Sequence, residues 1–280
     1  MTNISFDRAA DYYDATRGYT AGSDERIRDA IVAYAGADTR TRFLELGVGT
    51  GRIALPFIRA GYDYTGVDIS RQMMDRLAAK LAADPAAAGY RYDLREADIS
   101  ALPFADASFD AIVVVHVLHL VADWQAAVRE ARRVLRPGGP LVIGYDTWPE
   151  MLDPGAPEAQ AGPARVRARW DEIQRELGIG RPGNRVNVRG SDGELDRYCQ
   201  SLGARTERVR LAKVERAPVT PRAVAERLKG RMYSADWHTP DDVHAEAVRR
   251  LDEWFAREIA APDEPVAIEG TFSAIVARWS

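Results

Sequence analysis

The stretch Thr41-Arg42-Phe43-Leu44-Glu45-Leu46-Gly47-Val48-Gly49-Thr50-Gly51 joins a short apolar-rich run to three glycines at alternate positions. A strand that turns at once into a helix needs backbone conformations open to glycine and closed to residues bearing a Cβ. Missing side chains also let a ligand approach the main chain. The pattern predicts a strand over 41–46, a glycine loop over 47–51 and a helix over 52–60 that carries Pro56 near its first turn. Downstream the alternation repeats. A second strand over 62–67 ends at Asp68, an Ala-, Leu- and Met-rich helix covers 72–83, and a weaker strand over 91–97 ends at Asp98. Ala111 to Val115 is a continuous apolar run suited to a strand buried on both faces. Residues 124–135 have helical periodicity, stopped by Arg136-Pro137-Gly138-Gly139, and 141–145 is another strand.

Repeated strand–helix units imply an α/β fold with a Rossmann-like, doubly wound, mainly parallel sheet and helices on both faces. Ligands in such sheets bind outside the carboxyl ends of the strands. Gly47–Gly51, Asp68, Asp98, His116 and Asp146 all fall at or just beyond those ends, so separate positions converge on one edge. The second half is less regular. Residues 148–162 are rich in Pro and Gly and read as a crossing loop, 164–177 as a helix, and 181–190 as loop or short strand. Ser191 opens a helix with Glu194 at the capping-box position. A strand over 205–216, helices over 221–232 and 241–259, and a closing strand over 272–279 follow. The two late strands are expected to join the first sheet, with the intervening helices forming a cap.

Composition narrows the function. The 280 residues include 38 basic and 42 acidic side chains, for a formal net charge of −4. That balance offers no broad basic footprint for a nucleic-acid backbone. The longest apolar run, Ala111 to Ala122, is interrupted by His116 and His119 and is too short to span a bilayer. Asp7, Arg8 and Asp11 stand where a signal peptide would place its apolar stretch. Cys199 is the single cysteine, so neither an intrachain disulfide nor a cysteine-based metal cluster can form. These features point to a cytoplasmic enzyme with no membrane or nucleic-acid partner.

The glycine loop and Asp68 together suggest a nucleoside site. An acid at the end of the second strand can accept both hydroxyls of a ribose, and a charge-assisted hydrogen bond of that kind contributes about 1.5–3 kcal/mol. A dinucleotide fingerprint would be Gly-x-Gly-x-x-Gly. Here Gly51 comes one residue early and Arg52 takes the place of the third glycine, which argues against an NAD-dependent oxidoreductase. Glu45 would sit badly beside a pyrophosphate and well beside a cationic amino group. Ribose, adenine and an ammonium without phosphate describe S-adenosyl-L-methionine.

At this point the chain resembles the class I S-adenosylmethionine-dependent methyltransferases, in particular the small-molecule type 11 or UbiE-like branch. The resemblance rests on Phe6 to Arg17, Leu44 to Gly51, Gly66-Val67-Asp68-Ile69-Ser70 with Met73-Met74, Glu96-Ala97-Asp98, Leu102-Pro103-Phe104 with Ser108-Phe109-Asp110, and Val134 to Gly139. It spans about residues 6–146. It implies seven strands, the last running antiparallel between its neighbours, and three regions: an N-terminal lid segment over 1–22, a cofactor-binding core over 23–146, and cap helices with the last two strands over 147–280. It further implies that Glu45, Gly47, Gly49 and Gly51 face the methionine part, Asp68 holds the ribose, and Ile69 and Met73 flank the adenine. Asp98 would accept from the adenine amino group beside the Ile99 N–H, His116 would approach the methionine tail, and Tyr13 and Arg17 would close over the cofactor. A non-catalytic sensor or scaffold that binds the same cofactor would keep every one of these motifs.

Methyl transfer to a small-molecule acceptor needs alignment and exclusion of water, and a base only where the nucleophile must lose a proton. His116 and His119, three apart after the fourth strand, are the candidates, because a helix there would turn both to one side. Asp146 and Trp148 could line the same pocket. His238 and His244 belong to or follow the mixed segment Arg231 to His238, readable as pocket lining or as a hinge. Arg165, Arg167 and Arg169 alternate along a helix and so spread around it as a solvated face. No His, Asp or Glu set has metal-ligand spacing, so no metal is expected. The acceptor's identity and the oligomeric state are not written in the sequence.

Overall fold

The computed structural model describes residues 5–148, 161–179, 186–188 and 193–280. In chain order these form helices Tyr13–Arg17 (α1) and Ser23–Ala35 (α2), strand Arg42–Leu46 (β1), helix Ala54–Arg59 (α3), strand Asp63–Asp68 (β2), helix Arg71–Ala82 (α4), and strands Tyr92–Glu96 (β3) and Ala111–Val115 (β4). Helix Trp124–Val134 (α5), strand Pro140–Thr147 (β5), helices Gly162–Glu176 (α6) and Glu194–Ser201 (α7), strand Arg205–Val219 (β6), helices Pro221–Lys229 (α8) and Asp241–Glu258 (α9), and strand Val266–Arg278 (β7) complete the order. One sheet holds all seven strands in the order β3-β2-β1-β4-β5-β7-β6. The ladders β3/β2, β2/β1, β1/β4 and β4/β5 are parallel, with Glu45 of β1 opposite Gly66 on one side and Val113 on the other. The last strand lies between β5 and β6, where it was expected.

Two compact units share the chain. The first comprises Met1–Asp146, Asn184–Val214 and Thr271–Ser280, and the second Thr147–Gly183 and Glu215–Gly270. In the first, side chains alternate across β1. Leu44 and Leu46 join Ile112 and Val114 of β4 in one apolar cluster with Val128, Ala131 and Val134 of α5. Phe43, one residue along and so on the other face, packs on Phe57 of α3 with ring centroids 5.0 Å apart, and on Tyr64 of β2 at 5.9 Å. Helices therefore cover both faces, which is why β4 reads as an unbroken apolar run and all five of its residues are buried.

The second unit has a core of its own. Val166, Trp170 and Ile173 of α6 meet Val224 and Leu228 of α8 and Ala247 and Leu251 of α9. Buried Asp236 accepts from Trp170 Nε1 at 3.1 Å and from the Gln174 amide. His244 is buried edge-on to the Trp170 ring and donates from Nε2 to the Lys229 carbonyl at 2.9 Å, so it is part of this core, while His238 is exposed. The α6 arginines are spread as the alternation implied: Arg165 pairs with Glu258, Arg167 with Tyr233, and Arg169 with Glu172 and Glu176.

Several boundaries differ from the sequence reading, each for a local reason. The helix expected from Arg52 starts at Ala54, because Gly51 is left-handed (φ 84°) and the chain completes one more turn before regular bonding begins. The helix expected from Ser191 starts at Glu194, with Gly193 (φ 65°) as its N-cap. Glu194 is thus the first helical residue, not the third, and Ser191 lies outside the described residues, as do most of 148–162 and 181–190. The late strands are longer than their alternation suggested, 205–219 and 266–278, since β6 is half-exposed along much of its length and shows little periodic contrast. No helix among the described residues is long and apolar enough to cross a membrane.

Gly51 anchors the turn by packing as well as by φ, since a Cβ there would lie 2.3 Å from Leu77 Cδ1 in the α4 core. Gly51→Ala combines a strained left-handed residue with overpacking and is expected to destabilise the protein by about 1–3 kcal/mol, read as a lowered midpoint in urea unfolding.

Candidate functional site

A cavity opens at the carboxyl ends of β1, β2 and β4. Its place is the switch point where the strand order runs outward in both directions from the β1–β4 pair, where ligands bind in sheets of this kind. Nine of the residues singled out from sequence line it: Tyr13, Gly47, Gly49, Asp68, Ile69, Met73, Asp98, Ile99 and His116. Glu45, Gly51, Arg17 and His119 are not among its lining residues. The apolar wall adds Phe6, Val115, Val117, Leu120 and Val121, which sequence reasoning left unassigned. Phe6 had a signal, since it opens the N-terminal motif, and its ring stands edge-on to Tyr13 at 5.9 Å.

The glycine loop and the strand-end acid hold each other. Gly47 (φ 76°) and Gly49 (φ 53°) are left-handed, and a Cβ on Gly47 would fall 2.3 Å from Val117 Cγ2. The Gly49 N–H donates to Asp68 Oδ2 at 2.9 Å and the Ser70 N–H to Oδ1 at 2.8 Å. Burial raises the Asp68 carboxyl above its ordinary range, opposed by the N–H groups of Ser70, Gly49 and Ile69. Ser70 caps α4 by accepting from Met73 N at 3.2 Å, which sets Met73 on the cavity wall. Asp98 is positioned by its own turn, with Oδ1 accepting from the Ser100 N–H at 2.8 Å and the Ser100 hydroxyl at 2.7 Å.

Behind the loop lies a buried polar cluster. Glu45 is 2% exposed, and its Oε2 accepts from the Tyr64 hydroxyl at 2.9 Å. Burial pushes the carboxyl up to about 8, against the pull of Tyr64 and the Arg52 charge. A buried carboxylate costs several kcal/mol, whereas keeping the proton costs only about 1.4 kcal/mol per pH unit above the ordinary value, so the neutral acid prevails at pH 7. Arg52 donates to the Arg17 carbonyl at 3.0 Å, and its guanidinium lies 4.9 Å from the Tyr19 ring centroid. Desolvation opposes the Arg52 charge, yet Tyr19, Tyr13, Asp146 and Glu45 hold it firmly protonated. Arg17 thus meets the cluster through its main chain.

His116 directly follows β4 in a left-handed conformation (φ 57°), uncommon outside glycine. Its Nε2 lies 3.2 Å from Oδ2 of Asp146, a wholly buried carboxylate at the end of β5. His119 sits in a single 3₁₀ turn, Leu118–Leu120, so no helix starts at His116 to bring the two imidazoles onto one face. The structure brings His116 to the cavity and not His119.

Among the described residues, the cavity's lining contains two carboxylates and neither Lys nor Arg. Such walls suit a neutral or cationic nucleoside and disfavour a diphosphate. A family profile described as "Methyltransferase domain" matches residues 44–143, from β1 through the middle of β5. Residues 44–143 carry a methyltransferase domain. A ubiquinone/menaquinone biosynthesis C-methyltransferase UbiE from Desulfotalea psychrophila is 36% identical over 147 residues, covering 51% of this chain and 57% of that relative. A demethylmenaquinone methyltransferase from Renibacterium salmoninarum is 34% identical over 145 residues, covering 51% and 58%. The match therefore spans little more than half of either relative. The crystal structure of YcgJ from Bacillus subtilis superposes with a TM-score of 0.56 at 18% identity, over 90% of this chain and 97% of that one, and shares the fold. Among the described residues of the methyltransferase domain and the rest of the chain, no group of His, Cys, Asp and Glu is arranged to hold a metal ion.

The buried Glu45 has a consequence for stability. Its ordinary value is 4.5 and its folded value about 8, so in that window the folded protein binds the extra proton. This contribution to stability is present below the lower value and falls by up to about 1.4 kcal/mol per pH unit as the pH rises through the window. Glu45→Gln, which cannot titrate, is expected to gain on the wild type steadily between pH 5 and pH 8, measured as urea midpoints across a pH series.

Proposed function

We propose that the protein is an S-adenosyl-L-methionine-dependent methyltransferase acting on a small organic molecule, with the cavity at the β1–β4 switch point as its cofactor site. The observation that carries this is Asp68, held at the cavity wall by the N–H groups of Gly49 and Ser70. A fixed carboxylate beside a glycine loop is what a ribose diol needs, and a cavity lined by Asp68 and Asp98, with no Lys or Arg among the described residues, suits a sulfonium nucleoside. Asp98 and the main chain at Ile99 stand ready for the adenine edge, Ile69 and Met73 for its faces, and Gly47 and Gly49 for the methionine part. Tyr13 and Phe6 cover the cavity from the N-terminal segment.

S-adenosylmethionine, when bound, supplies a methyl group already activated by the sulfonium. The chain's task is to align the acceptor, exclude water and take a proton where the acceptor has one to lose. His116 is the base in this reading. The imidazole would receive the acceptor's proton, and the buried Asp146 carboxylate, 3.2 Å from Nε2, would stabilise the imidazolium that results. An O–H or N–H acceptor would use this base. The relatives named as ubiquinone/menaquinone-pathway methyltransferases support a small organic acceptor.

Calorimetric titration with S-adenosylhomocysteine, with NAD as control, tests the cofactor reading. The wild type is expected to bind the first and not the second, and Asp68→Ala to bind it at least about tenfold more weakly, since one charge-assisted hydrogen bond is worth about that factor. Binding of NAD alone, or an Asp68→Ala affinity equal to wild type, would overturn it.

A further inference from the structure

We propose that Asp14, held by Thr50 and Lys80, is a positioning residue that seats Tyr13 on the wall of the cofactor cavity. The proposal rests on the reading of that cavity as the S-adenosylmethionine site, and deepens it by assigning what fixes its N-terminal wall. Tyr13 lines the cavity, and Asp14 follows it in α1. Asp14 Oδ1 accepts from the Thr50 hydroxyl at 2.6 Å, and its Oδ2 forms an ion pair with Lys80 Nζ at 2.6 Å. The same ammonium donates to the Thr50 carbonyl at 2.8 Å. The N-terminal segment, the glycine loop and α4 thus close on one another through three side chains.

Thr50 is a firm anchor for such a seat. It lies between Gly49, whose N–H is bonded to Asp68, and Gly51, which packs against Leu77 of α4. What its hydroxyl holds is therefore held relative to the cavity. Thr50 is 1% exposed, so its hydroxyl has the Asp14 carboxylate and not bulk water as its acceptor. A hydroxyl buried in this way favours the arrangement that keeps its acceptor in place.

Three aspartates dock the segment along α4, and they are not equivalent. Asp7 accepts from the hydroxyl of Ser70, the N-cap of α4, at 2.6 Å, and holds the end that carries Phe6. Asp11 pairs with Arg76, and Asp14 with Lys80 one helical turn further on. The side chains of Asp11 and Arg76 are 81% and 55% exposed, and an ion pair so open to water contributes little. The Lys80 pair alone would also be modest, with its side chains 32% and 49% exposed. The hydrogen bond from buried Thr50 is what sets Asp14 apart. Asp14 is therefore the tie that places Tyr13, whose ring meets Phe6 edge-on from the Asp7 end.

Calorimetric titration of the full-length chain with S-adenosylhomocysteine, a zwitterion without net charge, reads the seat with little direct effect of a removed carboxylate. Asp14→Ala is expected to bind it about tenfold more weakly than wild type, and Lys80→Met about fivefold more weakly. Because Asp14 acts through Tyr13, its loss is expected to matter little once the ring is gone. Tyr13→Ala and the Tyr13→Ala/Asp14→Ala double variant are thus expected within about twofold of each other, which a merely structural role would not produce. Asp11→Ala, at the exposed pair, is expected within about twofold of wild type. Hydrogen exchange over residues 5–19, followed by mass spectrometry without ligand, is expected to be faster in Asp14→Ala and unchanged in Asp11→Ala. Urea midpoints confirm that each variant is folded, and Lys80→Met takes the place of Asp14→Ala in every comparison should the latter not fold. Wild-type affinity or wild-type exchange in Asp14→Ala, a loss of affinity that persists undiminished without the Tyr13 ring, or an equal loss in Asp11→Ala overturns the proposal. Absence of S-adenosylhomocysteine binding by the wild type would instead sink the cofactor reading, and the exchange rates would still decide whether Asp14 seats the segment.

Discussion

The carboxylate of Asp68 takes one N–H from Gly49 and another from Ser70, and in doing so ties the turn after β1 to the turn after β2. Much of the site follows from that double contact. Gly49 must be left-handed to aim its N–H, the loop must carry glycine at 47 and 51 to leave and rejoin regular structure, and Ser70 must stand where its hydroxyl caps α4. The cap then places Met73 on the cavity and Leu77 against Gly51. A single acid thus joins two adjacent parallel strands at the edge where they end. It does so while being raised by burial, so its charge in the folded state depends on those same N–H groups.

Two carboxyls near this edge behave differently because their neighbours differ. Asp68 accepts backbone donors that strengthen with its charge, whereas Glu45 has the Tyr64 hydroxyl and sits among the packed rings of the Phe43 face. The first suits a ligand's hydroxyls. The second is a largely neutral group that keeps the loop's underside filled, with Arg52 passing beside it to the N-terminal segment. Sequence spacing places both acids at strand ends or next to the loop, yet strand alternation turns Glu45 away from the cavity and leaves Asp68 on its wall.

What was legible in the sequence was what local chemistry dictates. The glycine loop, the apolar run of β4 and the stop at Arg136 to Gly139 each need only a few neighbouring residues to be read, and together they imply the parallel sheet and its ligand edge. What escaped was set by partners far along the chain. Tyr19 and Asp146 are 127 positions apart, and nothing near either announces the other. The extra length of β6 is hidden because an exposed strand rich in arginine and glutamate has little hydrophobic contrast. The single turn after His116 was missed for another reason, since two histidines three apart look helical until the left-handed residue breaks the run.

That left-handed residue carries its own argument. A φ of 57° at a position bearing a Cβ costs about 1–3 kcal/mol, and glycine would remove the cost. The chain has 22 glycines and uses them at the other sharp turns of this edge, at 47, 49 and 51. At 116 it sets an imidazole instead, with a buried carboxylate 3.2 Å from Nε2 and the cavity beside the ring. Strain of this kind persists only where the surroundings over-determine the conformation, and the buried Asp146 beside the ring, itself bonded by Tyr19, is one fixed neighbour of that position.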